Sequence, residues 1–229
     1  MTVQAGCARC SSIPAVLLTD ALARLAALTD PLPAAPAAID AHVVGRGATT
    51  PDWVRLRDQP ATRDAAALIL LYPDAAGEAH LVLTERPTGT HRHAGQVSLP
   101  GGKRDPDDEW PVGTALREAK EEVGLDTQRD PVLVLGMLDV VDVRVSGFLL
   151  VPVIAVAWRE PLLTPDAREV AEILRVPVRH FLPSAPIEVV EAERDGWQLR
   201  YGAFPIGEHR VWGATGRILG QLGAVLGGR

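Results

Sequence analysis

Nine residues, Arg117-Glu118-Ala119-Lys120-Glu121-Glu122-Val123-Gly124-Leu125, constrain this chain more than any other stretch. Glu118, Glu121 and Glu122 stand at i, i+3 and i+4, a spacing that puts three carboxylates on one face of an α-helix. Leu116, Ala119 and Val123 fall on a second face and predict a buried stripe, so the helix has to flank a larger layer. Gly124 is suited to end it. Carboxylates that close repel unless a cation sits among them, and a hard, oxygen-seeking ion, Mg²⁺ or Mn²⁺, answers that need. Just upstream, Pro100-Gly101-Gly102-Lys103 reads as a tight turn where backbone can approach a ligand closely. Glutamate-rich helix faces are usually solvated surface with Lys or Arg at i+4. The glycine turn, the spacing and Gly124 shift the reading to a metal-dependent phosphate enzyme.

The rest of the chain reads around that helix. Ala66 to Tyr72 is a continuous apolar run and predicts a buried strand, with His80 to Arg86 as its hairpin partner across Pro73 to Gly77. A loop over 87–94 leads to a short strand at Gln96 to Leu99. Pro131 to Val141 and Phe148 to Trp158 predict two further strands, and Asp166 to Ile173 a short helical segment. Ile187 to Glu193 and Trp197 to Phe204 predict a hairpin around Asp195-Gly196. His209 to Leu226 predicts a C-terminal amphipathic helix. Ahead of all this, residues 1–12 read as disordered, Ile13 to Leu28 as a short amphipathic helix, and Pro31 to Pro36 as a proline-broken linker. Residues 1–36 are thus expected to be a leader and 37–229 the functional domain. Strands mixed with a few flanking helices fit an α+β helix–sheet–helix sandwich of mixed β-sheets.

Bulk properties narrow the function. Apolar residues make up 47% of the 229, enough for a real core. The net charge of −6 argues against a nucleic-acid groove, which needs a basic stripe. The 4% aromatic content argues against a base-stacking platform. No apolar run approaches the ~18 residues of a membrane span, and the expected location is cytoplasmic. Cys7 and Cys10 form a C-x-x-C pair without the second pair or histidines that a zinc site requires, and read as reduced thiols in the leader.

The segment from Arg117 to Leu125 resembles the signature of the Nudix hydrolases, Arg-Glu-aliphatic-any-Glu-Glu-any-Gly-aliphatic, with Ala119 in the first aliphatic slot. Counting back gives Glu109 in the mid-motif acidic slot, and counting forward from Gly102 gives Asp108. The loop carries one extra residue, and either acid is a candidate for that role. Upstream, Leu83 to Gly102 resembles the motif of the coenzyme A pyrophosphatase branch. Thr84, Arg86, Gly95, Pro100, Gly101 and Gly102 match, while Pro87, His91 and Leu99 depart from it. Arg92 lies one place after the second arginine slot.

This resemblance implies a Nudix-type sandwich over roughly residues 40–225 and hydrolysis of a nucleoside-diphosphate-linked substrate. It implies Mg²⁺ or Mn²⁺ held by Glu118, Glu121 and Glu122 with help from Gly102, and Arg117 orienting its neighbours. Glu169, with Glu172 behind it, is the candidate loop acid for the general base. Arg86, Arg92, Gly101, Gly102 and Lys103 are the candidate phosphate contacts, because guanidinium groups grip phosphate oxygens in bidentate fashion; His91 and His93 read as ordinary loop residues. The implied substrate is coenzyme A or an acyl-CoA, cleaved to 3′,5′-ADP and (acyl-)4′-phosphopantetheine. ADP-ribose, a dinucleotide or a damaged nucleoside triphosphate is the alternative, followed by a non-catalytic ligand sensor. Neither nucleic acid nor membrane is an expected partner, and a homodimer is compatible with the reading.

Overall fold

The computed structural model describes residues 13–28, 30–56, 60–88 and 95–227. The readings made for residues 1–12, for Cys7 and Cys10, and for His91, Arg92 and His93 lie outside the described residues.

In chain order the elements are α1 (Leu18–Ala26), β1 (His42–Gly45), α2 (Asp52–Leu56), β2 (Arg63–Pro73), β3 (Ala79–Glu85), β4 (Val97–Ser98), β5 (Gly101–Lys103) and α3 (Val112–Val123). There follow β6 (Val132–Met137), β7 (Val141–Val143), β8 (Phe148–Ala157), β9 (Glu172–Pro177), β10 (Glu188–Arg194), β11 (Trp197–Ile206), β12 (His209–Val211) and α4 (Gly213–Gly227).

A mixed sheet built on β2 carries the fold. Its strand order is β4-β3-β2-β8-β6, with β5 also paired to β2, β7 to β8 and β9 to β3. The central β2–β8 pair is parallel, running from Arg63↔Phe148 to Leu71↔Val156, and the other pairings are antiparallel. A strand covered on both faces needs apolar residues at every position, which is why Ala66 to Tyr72 reads as one unbroken run and is buried throughout. Its even-numbered residues, Ala66, Leu68, Leu70 and Tyr72, pack with Ala115, Ala119 and Val123 of α3. Its odd-numbered residues Ala67, Ile69 and Leu71 pack with Leu18, Ala21 and Leu25 of α1 and Ile218, Leu219 and Leu222 of α4. The molecule is therefore the α+β helix–sheet–helix sandwich expected, with α3 on one face and α1 and α4 on the other. A second, smaller sheet of order β1-β11-β10, extended by β12, joins the early strand β1 to strands from the chain's last third. Asp195 (φ 53°) and Gly196 (φ 76°) form its tight hairpin turn, the left-handed pair that a two-residue connection needs.

Three local expectations are corrected. The 166–173 segment is a turn leading into β9, which pairs Glu172 with Glu85 and Pro177 with His80. The Asp166 carboxylate accepts the Arg168 N–H at 3.0 Å, so the side chain caps a turn where a helix was expected. The C-terminal helix starts at Gly213, after β12. The strand expected over 131–141 is split between β6 and β7.

Candidate active site

Helix α3 is placed by its own sequence. Pro111 precedes its first residue, and at the other end Gly124 adopts a left-handed conformation (φ 66°) while the Leu125 N–H reaches the Ala119 carbonyl at 3.2 Å. At about 100° per residue, Glu122 falls about 20° from Ala115 on the side away from Ala119, next to the apolar stripe that faces the sheet. Glu122 is accordingly buried, 5% exposed, which corrects the expectation that all three glutamates turn away from the core. Glu118 lies at the edge of that stripe, its side chain 12% exposed. Glu121 points outward, 56% exposed, and is held by Arg117 Nη1 at 3.0 Å. Among the described residues these three carboxylates do not gather into one ligand set; the inward pair is Glu118 and Glu122.

The glycine turn is pressed against that pair. A Cβ on Gly102 would stand 2.5–2.6 Å from the Glu118 carboxylate, and one on Gly101 would stand 2.5 Å from the Ala66 carbonyl oxygen. Gly101 requires glycine because backbone stands in the way, whereas at Gly102 the obstacle is the end of the Glu118 side chain. The Gly101 N–H donates to Glu122 Oε2 at 3.2 Å. Burial pushes the Glu122 carboxyl up to about 7; the Gly101 N–H and the Arg86 charge oppose this, while Glu118 and Glu169 reinforce it. Burial raises Glu118 too, against the Arg117 hydrogen bond, with Glu121 and Glu169 adding to the rise. Glu169 thus acts on both inward carboxylates from its loop. Glu172 does not belong with them: it stands on β9 opposite Glu85, on the other face of the sheet.

Arg117 is the hub of the surrounding frame. Its Nε and Nη2 reach the two oxygens of Asp108 at 2.9 and 3.0 Å, Nη1 reaches Glu118 at 2.9 Å, and Nη2 also reaches the Lys103 carbonyl at 3.0 Å. Asp108 further accepts the Asp105 N–H at 2.9 Å and the Thr114 hydroxyl at 2.8 Å. The choice between Asp108 and Glu109 is therefore made by geometry: Asp108 locks the loop to the helix. The Lys103 side chain is 73% exposed, with Asp105 3.9 Å away.

Arg86 follows β3 at the stem of the loop, its N–H bonded to the Gln96 carbonyl at 3.0 Å and its own carbonyl accepting the Gly95 N–H at 3.1 Å. It lines a cavity of about 210 Å³ together with Ser98, Gly101, Gly102 and Lys103 on one side and Phe148, Leu150 and Ile218 on the other. That cavity opens on the α4 face of β2, while Glu118 and Glu122 lie on the α3 face. Gly101 and Gly102 form the thin wall between them.

A divalent cation fits the inward pair. Two crowded, largely desolvated carboxylates, with a third acid adding its field, carry negative charge that Arg117 offsets on Glu118 by a hydrogen bond and Arg86 opposes at Glu122 through its charge, and oxygen donors suit Mg²⁺ or Mn²⁺. Glu118 and Glu122 would hold such an ion, with Glu169 adding its negative field.

Comparison with known proteins identifies the family. The NUDIX domain family model matches residues 62–194, more than half of the chain. An uncharacterized Nudix hydrolase NudL of Photorhabdus laumondii is 37% identical over 142 residues, 62% of this chain and 74% of the relative. Its namesake in Pectobacterium atrosepticum is 35% identical over 169 residues, 73% of this chain and 84% of the relative. Among solved structures, the Nudix hydrolase RenU of M. smegmatis aligns with 51% of this chain and 71% of its own, at 30% identity and a TM-score of 0.39. The chain belongs to the Nudix hydrolase family.

Proposed function

We propose that the protein is a divalent-metal-dependent pyrophosphohydrolase whose substrate is coenzyme A or an acyl-CoA, released as 3′,5′-ADP and (acyl-)4′-phosphopantetheine. The observation that carries this reading is the shared glycine wall. Gly102 abuts Glu118 on one side and lines the cavity on the other, so a diphosphate lying across the turn meets the carboxylates while the organic part of its substrate enters the cavity.

At about 210 Å³ the cavity is smaller than a typical drug-sized pocket of roughly 300–1,000 Å³. It takes one end of a long substrate and leaves the rest along the opening. Its lining suits a molecule with both characters: Arg86 and Lys103 for phosphate, and Phe148, Leu150 and Ile218 for an apolar body. The motif around Thr84, Arg86 and Gly95 favours coenzyme A within this class.

A bound Mg²⁺ or Mn²⁺ supplies charge neutralisation on the diphosphate and a water of lowered pKa. The chain's own residues do the positioning. Glu118 and Glu122 present oxygens at a fixed depth, Arg117 and Asp108 hold Glu118 and the turn in register, and Glu169, whose charge bears on both carboxylates, would accept the proton of the attacking water. Arg86 draws the negative diphosphate toward the wall.

The test is incubation of the full chain and Mg²⁺ with coenzyme A, ADP-ribose, a dinucleotide and a nucleoside triphosphate, with products identified by mass. Preferred cleavage of coenzyme A to 3′,5′-ADP supports the reading. Faster turnover of ADP-ribose or a dinucleotide would transfer it to that substrate, and metal-dependent binding without product would make the protein a sensor. In the same assay Arg86→Ala is expected to raise the KM for coenzyme A more than that for ADP-ribose.

A further inference from the structure

A second cluster lies on the other face of the sheet. Glu85 follows Leu81 and Leu83 at the two-residue period of β3, and those leucines belong to the core shared with α1 and α4. Glu172 of β9 is its direct antiparallel partner. Two glutamates opposed in register repel each other and destabilise the pair of strands unless something positive joins them. His209 enters from β12 of the smaller sheet, with Nδ1 3.7 Å from Glu85 Oε1 and Nε2 3.9 Å from Glu172 Oε2. Both separations exceed a hydrogen bond, so the three side chains surround a gap without closing it. One ligand atom from each residue lies within 4.8 Å of the others. Donors about 2.0–2.2 Å from a tetrahedral ion stand roughly 3.3–3.6 Å apart, so the three side chains, whose ligand atoms lie within 4.8 Å of one another, would draw in by up to roughly an ångström around an ion. All three side chains are only partly exposed, at 23%, 37% and 19%, which leaves room for a water at a fourth position.

We propose that Glu85, Glu172 and His209 form a second metal site, separate from the α3 carboxylates, that binds a transition-metal dication of the Zn²⁺ type. The donor set distinguishes it from the first site. An imidazole with two carboxylates suits Zn²⁺ or Co²⁺, whereas Mg²⁺ keeps to oxygen. Each ligand comes from a different strand, and strands hold ligands more rigidly than loops do. The ion would clip β12, and with it the start of α4, to the end of β3. Arg86 directly follows β3, so the clip also steadies the stem of the loop that reaches the cavity. One ring nitrogen ligates, and the other is left to a water.

The test is Zn²⁺ binding to the full chain by calorimetry and metal analysis in excess Mg²⁺, with Co²⁺ absorption as a second readout. One equivalent is expected in the wild type, in a Glu118→Gln/Glu122→Gln variant and in a Cys7→Ser/Cys10→Ser variant. His209→Ala and Glu172→Gln, which act on different strands, are each expected to weaken Zn²⁺ binding by roughly 100-fold or more while their far-UV circular dichroism stays that of the wild type. Absence of Zn²⁺ binding in excess Mg²⁺ overturns the proposal. So does Zn²⁺ binding that disappears with the α3 glutamates or the cysteine pair, or that survives both His209→Ala and Glu172→Gln.

Discussion

Arg117 meets Asp108 through two parallel hydrogen bonds, Nε to Oδ1 at 2.9 Å and Nη2 to Oδ2 at 3.0 Å, across nine residues of sequence. Such a fork fixes both partners' planes as well as their separation. Because Nη1 of the same guanidinium reaches Glu118, the pair sets where that carboxylate points. A lysine in place of Arg117 retains charge but cannot make the fork. Arg117→Lys is therefore expected to lower turnover about 10–100-fold, the usual effect of losing an orienting partner, with a smaller change in KM. Asp108→Asn should act in the same direction, and Glu109→Gln should leave kcat within a fewfold of wild type. Steady-state kinetics on the three variants checks this; equal losses for Asp108 and Glu109 would remove the assignment of Asp108.

The depths of the three helix glutamates predict unequal effects. Glu122 and Glu118 face the glycine turn, and Glu121 faces solvent with Arg117. Glu122→Gln and Glu118→Gln are expected to cut kcat by about two to four orders of magnitude. Glu121→Gln should cost much less, about tenfold or under, through loosening of Arg117. A Glu121 variant as inactive as the other two would mean that its side chain swings inward on substrate binding.

Gly101 and Gly102 should fail differently when given a methyl group. At Gly101 the new atom meets backbone, the Ala66 carbonyl and the Ala67 Cα, which cannot move without breaking the β2–β5 pairing. Gly101→Ala is expected to destabilise the fold by about 1–3 kcal/mol. At Gly102 the obstacle is the end of the Glu118 side chain, which can rotate away. Gly102→Ala should thus melt close to wild type yet lose most turnover. Thermal melts paired with kinetics separate the two, and reversed outcomes would contradict the packing described.

The sheet and its partners were legible because burial leaves a plain trace. A strand covered on both faces writes the apolar run of Ala66 to Tyr72, and a two-residue hairpin writes Asp195-Gly196. The inward turn of Glu122 was also present in the sequence, since Ala115 and Ala119 are four apart and Glu122 is three beyond. The polar character of the side chain masked that periodicity. β9 was hidden by Asp166, whose local hydrogen bond imitates a helix start. The bidentate Asp108 and the opposition of Glu85 to Glu172 depend on pairings 9 and 87 residues apart, which no local pattern encodes. His209 carries no signal at all until β12 places it.

Acidity gives the last prediction. The Asp108 carboxyl is held well below the usual carboxylate range, first by its Arg117 hydrogen bonds and then by the Asp105 N–H. A depressed acid contributes stability at every pH above its unfolded value, and that stability is lost only as pH falls toward the folded one, so this pair adds no pH dependence near neutrality. Glu122 has the opposite sign. Burial raises its carboxyl from 4.5 to about 7, so the folded chain binds the proton more tightly than the unfolded chain, and stability declines as pH rises between those values. A shift of that size corresponds to about 3 kcal/mol once pH exceeds 7. In chelator-treated protein the melting temperature is expected to fall from pH 5 to pH 7.5, and Glu122→Gln should flatten much of that fall while abolishing turnover. Added Mg²⁺, which binds the ionised form, should restore wild-type stability at pH 7.5 and have little effect on the variant. Melting curves across pH with and without Mg²⁺ check each part, and a wild-type profile as flat as that of the variant would show that Glu122 is not desolvated.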